Sequence, residues 1–137
     1  MPHDAAAIHG ITDDQLVDAP TIDEIMTRLR AVFDKRPCLS YNLAFDWRIM
    51  RQSISARGLV WPLWEEWPSG ERCIMETYAQ FYGDWSEYHS SYTWQRLEAA
   101  AAFCMVEVSG DPPRALTDAR IAAAVLQYMA NTPKPMA

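Results

Sequence analysis

Apolar residues recur with helical spacing most clearly in the segment that follows Pro20. Thr21 and Glu24 have the spacing of a capping box, and apolar side chains then recur every three or four residues from Ile22 to Phe33. Pro37 interrupts this pattern. The spacing therefore predicts a helix that begins after Thr21 and ends before the proline. The first twenty residues contain few apolar positions, and we expect them to form an extended lead-in.

The rest of the chain alternates short apolar runs with amphipathic stretches. Helical spacing predicts further helices over about 45–57, 78–82, 93–105 and 114–130, with Thr93 as the cap of the third of these. Residues 38–41 and 73–75 are short apolar runs typical of buried strands, and 59–70 is predicted to be a structured loop. The pattern predicts a helix-rich α/β fold, with about five helices and a small sheet. We expect one domain over 1–137, with a tail at 131–137.

Charge and cysteine content restrict the classes of function. The 137 residues include 18 acidic and 12 basic side chains, which give a net charge of -6. This sign disfavours binding of a nucleic-acid backbone by bulk electrostatics, although local contacts remain open. The three cysteines are widely separated and match neither disulfide nor zinc-ligand spacing, and no apolar run approaches the length of a membrane helix. We expect a soluble cytoplasmic protein with reduced thiols and no membrane partner.

Several short motifs occur in a fixed order along the chain. They are AIHGIT at 7–12, DAPT at 18–21, YNLAFD at 41–46, YGDW at 82–85, YTWQ at 92–95 and RALTDAR at 114–120. Together they resemble the DEDD family of 3′-5′ exonucleases, of the proofreading-subunit type with a ribonuclease H-like fold. The similarity runs from about residue 7 to residue 129. The middle motifs are similar to a subgroup found in bacteria and phages.

The resemblance implies a site for two divalent metal ions, Mg²⁺ or Mn²⁺, held by four carboxylates. Asp46 matches the aspartate of the second motif and Asp118 that of the third. The first motif of the family, Asp-x-Glu, does not occur in the sequence, and Pro113 stands where the family has its general-base histidine. We therefore interpret the chain as a truncated ribonuclease H-like fold with a degenerate site and no catalytic residue. Asp46 and Asp118 remain as vestigial metal ligands, and no cofactor is expected unless the chain is active.

Two sets of residues are candidates for binding. His9, Asn42 and Phe45 lie in the matching motifs and are candidate substrate contacts. The candidate interface residues are aromatic: Trp61, Trp64, Trp67, Trp85, Tyr88 and Trp94. From the residues alone, plainer alternatives stay open. Asp46 and Asp118 suit structural positions in a first helical turn, and the aromatic loop suits packing on the core as well as stacking on bases. His89 is a weaker candidate for a replacement base.

Three functions follow from these observations. The leading interpretation is a degenerate, catalytically inactive exonuclease-family domain that binds a protein partner, such as a nucleic-acid-processing or defence complex, in the manner of an inhibitor. The alternative is the C-terminal part of an active metal-dependent 3′-5′ exonuclease that is completed by an upstream segment or a second chain. The third is a scaffold subunit. In each, the apolar helix faces that pack on the family's central strands need another cover. A rearranged, mostly helical fold, a homodimer and a protein partner are the three possibilities, and we expect a protein partner or a homodimer.

Overall fold

A computed structural model describes residues 10–59, 70–107 and 115–133. In chain order the helices are α1 (Asp13–Leu16), α2 (Ile22–Phe33), α3 (Leu43–Ala56), α4 (Ile74–Tyr82), α5 (Leu97–Phe103) and α6 (Ala115–Asn131). The strands are β1 (Cys38–Ser40), β2 (Glu71–Cys73), β3 (Trp85–Ser86) and β4 (Ser91–Tyr92). β1 pairs with β2, and β3 pairs with β4. The helix-rich α/β class with little sheet is confirmed.

The chain divides into two compact units. The first comprises Met1–Cys38 and Phe45–Glu71, and the second comprises Leu39–Ala44 and Arg72–Ala137. The interpretation of residues 1–137 as one domain stays a prediction. Across the three described ranges, no helix combines the length and apolar character needed to cross a bilayer.

The first unit is organised around α2 and most of α3. α2 begins at the predicted capping box, in which the Thr21 backbone N–H and hydroxyl both donate to Glu24 Oε2, at 2.6 and 2.8 Å. The Phe33 ring lies 6.2 Å from that of Trp47, which is buried together with Ile54. These aromatic and aliphatic contacts stabilise the packing within this unit.

The second unit has the larger described core. α4, α5 and α6 bring together the buried residues Ile74, Tyr78, Phe81, Ala100, Ala101, Cys104, Ile121, Ala122 and Val125. Three of these are alanines, whose small side chains let helix backbones approach closely. The Phe81 and Tyr128 rings pack edge to face with their centroids 6.2 Å apart, an arrangement that aromatic pairs favour. Burial of this apolar surface is the main force that holds the three helices together.

A short antiparallel hairpin follows α4. Trp85 pairs with Tyr92 and Ser86 with Ser91, and the rings of Trp85 and Tyr92 lie 5.1 Å apart, edge to face. The loop between the strands contains Ser90 with φ 49°, a left-handed conformation found mostly in turns. The sequence pattern did not predict this hairpin, because its strands are only two residues long.

The hairpin also corrects the predicted start of the next helix. α5 begins at Leu97 with Arg96 as its N-cap, whereas Thr93 was expected to be the cap. The Thr93 backbone N–H instead donates to the Asp84 carbonyl, at 2.7 Å. This bond extends the pairing beyond β4, so Thr93 belongs to the hairpin.

Two other local expectations differ from the structure. Within the segment expected to be extended, Asp13–Leu16 form a single helical turn, because Thr12 and Gln15 make a second capping box. This turn brings the described helices to six. Residues 74 and 75, expected in a strand, open α4, since β2 ends at Cys73.

Candidate functional site

Tyr41 fixes the turn that leads into α3. Its hydroxyl donates to the Gln95 carbonyl at 3.0 Å, while its own carbonyl accepts from the Met75 N–H at 2.9 Å and from the Cys73 thiol at 3.3 Å. Burial, with smaller contributions from Cys104, Glu98 and Cys73, raises the pKa of Tyr41 to about 12. The phenol therefore stays protonated and remains a hydrogen-bond donor at neutral pH.

The YNLAFD motif occupies this turn and the start of α3. Asn42 is exposed in the turn, and Asp46 is exposed in the first helical turn, where the helix dipole favours a carboxylate. Phe45 is 48% exposed, and the Arg48 guanidinium carbon lies 5.2 Å from the centroid of its ring. The cation and ring attract each other at this distance. An aromatic face, a guanidinium and a carboxylate thus lie within four consecutive residues.

Asp46 shares its surroundings with a second carboxylate. Burial raises the pKa of the Cys38 thiol, and the negative charges of Glu71 and Asp46 raise it further. The negative charges of both carboxylates therefore raise the pKa of the same thiol within the first unit. Carboxylate oxygens of this kind suit hard cations such as Mg²⁺. Within the described ranges, however, no cluster of three or more His, Cys, Asp or Glu side chains is placed to hold a metal ion.

Asp118 lies in the first turn of α6 and is half-buried. The helix is anchored in the core of the second unit by Ile121, Ala122 and Val125, and Thr117 beside the aspartate is buried as well. Core packing of α6 therefore fixes the backbone at Asp118. It belongs to the second unit and Asp46 to the first. The metal-ligand role of each aspartate stays a prediction.

The hairpin presents three of the predicted interface residues to solvent. Trp85 is 48%, Trp94 64% and Tyr88 91% exposed. His89, the candidate replacement base, lies in the hairpin loop with its ring 4.8 Å from that of Tyr88, and its backbone N–H donates to Ser86 Oγ at 3.3 Å. Such exposed aromatic side chains are typical of recognition surfaces.

Several predicted residues lie outside the described ranges. They are His9, Trp61, Trp64, Trp67 and Pro113. The candidate contact, the aromatic loop and the residue at the general-base position are therefore known from the sequence alone, and their predicted roles stay predictions.

Three residues near the candidate site residues were not themselves predicted as site residues. They are Tyr41, Arg48 and Glu71. Tyr41 directly precedes Asn42, but a phenol that anchors its own turn has no sequence signature. Arg48 lies three residues after Phe45, a spacing that places both side chains on one helix face and is readable in the sequence. Glu71 lies far from Asp46 along the chain, so only the folded chain reveals that both act on Cys38.

Comparison with known proteins identifies a family and a relative of the chain. A family model described as an exonuclease, RNase_T, matches residues 1–126. A curated protein of Escherichia phage 186, described as an uncharacterized exonuclease, is 32% identical over 136 residues, which cover 96% of this chain and 68% of the phage protein. No solved structure matches the chain significantly.

Proposed function

Because the chain belongs to the RNase_T exonuclease family, we propose that these 137 residues form a degenerate exonuclease domain that acts by binding a protein. In this proposal the chain does not cleave nucleic acid by itself. Its partner belongs to a nucleic-acid-processing or defence complex, which the domain blocks.

The main observation in favour of partner binding is the exposed aromatic surface at the hairpin. Trp85, Tyr88 and Trp94 are all substantially exposed, although each is a large apolar side chain. Trp85 and Trp94 line one cavity, and exposed aromatic groups are typical of protein interfaces, where Trp and Tyr contribute much of the binding energy.

The sequence supports the inactive part of the proposal. Two-metal phosphodiester cleavage needs several carboxylates, and the sequence has no Asp-x-Glu motif to add to Asp46 and Asp118. Pro113, at the position of the family's general base, has no group that accepts a proton. Loss of a general base alone typically lowers a rate about a hundredfold to ten-thousandfold.

The first test is an exonuclease assay on the purified chain. A 5′-labelled single-stranded DNA is incubated with the chain and Mn²⁺ or Mg²⁺, beside the double variant Asp46→Ala, Asp118→Ala. We expect the two proteins to leave the DNA equally intact. Metal-dependent digestion that disappears in the double variant would show that the proposed inactivity is wrong.

The second test concerns binding. The tagged chain is used to capture proteins from cell lysate, beside a Trp85→Ala, Trp94→Ala variant checked for native circular dichroism. We expect a stoichiometric partner that the variant fails to retain. Capture of no stoichiometric partner by the parent chain would contradict the proposal.

Retention of Asp46, Asp118 and Asn42 favours a second candidate function. In this alternative the chain is the C-terminal part of an active exonuclease that an upstream segment or a second chain completes. Asp46 and Asp118 would then each contribute one carboxylate to hold Mg²⁺ or Mn²⁺, and the bound ion would supply the activation of the attacking water. In the test, an upstream segment with the Asp-x-Glu motif is joined to the chain, and the exonuclease assay is repeated. Metal-dependent digestion that Asp46→Ala abolishes would favour this alternative over the inactive domain.

A further inference from the structure

Two adjoining cavities lie on the hairpin face of the second unit. The smaller, of about 200 Å³, is lined by the carboxylate residue Glu76 of α4 together with Trp85 and Trp94. The larger, of about 400 Å³, is lined by hydroxyl and aromatic residues of the hairpin. Ser91, Tyr92 and Trp94 line both cavities, which makes them neighbouring parts of one surface.

The smaller cavity combines the two features that attract a cation. The π faces of tryptophan are the most favourable aromatic partners for a positively charged group. The Glu76 carboxylate supplies a negative charge at the same cavity. Trp85 is held by its edge-to-face contact with Tyr92, so one aromatic wall is fixed before a ligand arrives. In the described parts of the chain, no lysine or arginine lines either cavity.

The larger cavity has a different chemistry. Its lining contains the hydroxyl groups of Ser86 and Thr93 and the imidazole of His89, beside the Trp94 indole. Such a lining accepts an apolar or uncharged polar side chain. A cationic residue and a neighbouring uncharged residue of one extended segment therefore match the two cavities together.

We propose that this hairpin surface binds an arginine- or lysine-containing segment of a partner protein, with the cationic side chain between Glu76 and the two indoles. The inference rests on the proposed partner-binding function and names the chemistry of the partner. Charge complementarity decides between macromolecules. Glu76 of α4, Asp84 and Glu87 at the hairpin, and the net charge of -6 attract a basic segment and repel a phosphate backbone.

The test uses short peptides rather than an unidentified partner. The probe is acetyl-Gly-Arg-Gly-Leu-amide, and its matched control carries uncharged citrulline in place of arginine. Binding is followed through the indole N–H signals of the ¹⁵N-tryptophan-labelled chain in two-dimensional NMR, with Trp85→Phe and Trp94→Phe variants to assign the two signals. We expect the arginine peptide to shift both signals and the citrulline peptide to bind about three- to thirtyfold more weakly.

A charge-neutral variant tests the role of the carboxylate. Glu76→Gln is expected to weaken binding of the arginine peptide about two- to fivefold, as for other exposed ion pairs. Glu98→Gln is the matched control, because Glu98 is also exposed in the second unit but lines neither cavity. It is expected to leave the affinity unchanged. Both are surface substitutions, so native folding is retained and is checked by circular dichroism.

Three outcomes would overturn the assignment of this site. They are equal binding of the two peptides, equal weakening by Glu76→Gln and Glu98→Gln, and shifts of the Trp85 and Trp94 signals by oligothymidylate but not by the arginine peptide. The proposed function fails separately, when lysate capture returns no partner. A captured partner whose measured affinity is the same for the parent chain, Glu76→Gln and Glu98→Gln would contradict this site and leave the proposed function standing.

Discussion

Replacement of Tyr41 by phenylalanine tests whether the Tyr41 hydroxyl anchors the turn before α3 within the second unit. The substitution keeps the ring and removes only the hydroxyl that donates to the Gln95 carbonyl at 3.0 Å. The two residues are 54 positions apart in the sequence. The bond is therefore a tertiary contact. It anchors the turn that contains Asn42 and leads into α3.

The expected loss of unfolding free energy in Tyr41→Phe is that of one partly buried hydrogen bond between neutral groups. Such bonds contribute about 1 kcal/mol to the free energy of unfolding, and more where the remaining partner is left buried without a donor. For a chain of this length, a loss of about 1 kcal/mol lowers the melting temperature by about 3 to 5 °C. We expect this decrease for Tyr41→Phe near neutral pH.

The pH dependence gives a second, independent signature. The pKa of Tyr41 is raised from 10.0 to about 12 because burial disfavours the phenolate. A raised pKa means that this contribution to stability is complete below the unfolded value and is lost as pH rises through the folded value. The stability gap between the parent chain and Tyr41→Phe should therefore narrow as pH rises from about 10 to about 12.

The assay is urea unfolding followed by circular dichroism, at neutral pH and across the alkaline range. Tyr88→Phe is the matched control, because the Tyr88 side chain is 91% exposed and its hydroxyl is expected to contribute little. A Tyr41→Phe variant as stable as the parent chain at neutral pH would refute the anchoring role of the hydroxyl. A gap that stays constant through the alkaline range would refute the assigned effect of burial.

Two further substitutions test the packing and the backbone of the second unit. Val125→Ala removes two methyl groups from a side chain with 0% exposure, and we expect it to lower the free energy of unfolding by about 2 to 3 kcal/mol. Leu116→Ala, on the same helix at 63% exposure, should change it far less, and equal effects in urea unfolding would contradict the assigned core. Gly83→Ala forces a side chain onto a C-cap with φ 87°, which should cost about 1 kcal/mol. Gly70→Ala adds a Cβ 4.0 Å from the Pro37 Cβ, an ordinary contact, so thermal melts should separate the two glycine variants.

Local patterns predicted much of the helical structure. The Thr21 capping box and the apolar spacing after it predicted α2, and a capping box is a contact between residues only three apart. The first-turn positions of Asp46 and Asp118 followed in the same way, from the local boundaries of α3 and α6. The order of the motifs also identified the exonuclease family, which the family comparison confirms.

Sequence reasoning was weaker where partners are distant in the chain or elements are very short. Thr93 looked like a helix cap, but its N–H is used by the Asp84 carbonyl in a hairpin whose strands are two residues long. Strands of that length carry no alternating pattern to detect. The candidate interface residues Trp85, Tyr88 and Trp94 were predicted from their aromatic character, but their exposure was not readable from it.

The sequence by itself determined the family, the main helices and the place of both aspartates in first helical turns, because these depend on motif order and on contacts within one or two turns. Only the tertiary structure decided that the Tyr41 hydroxyl donates to the Gln95 carbonyl. It also decided that Glu71 and Asp46 both raise the pKa of the Cys38 thiol, and that Glu76, Trp85 and Trp94 line one cavity. Each of these results from packing between segments far apart in the chain. Periodicity reports which face of an element is apolar, but it does not report which distant side chain meets that face.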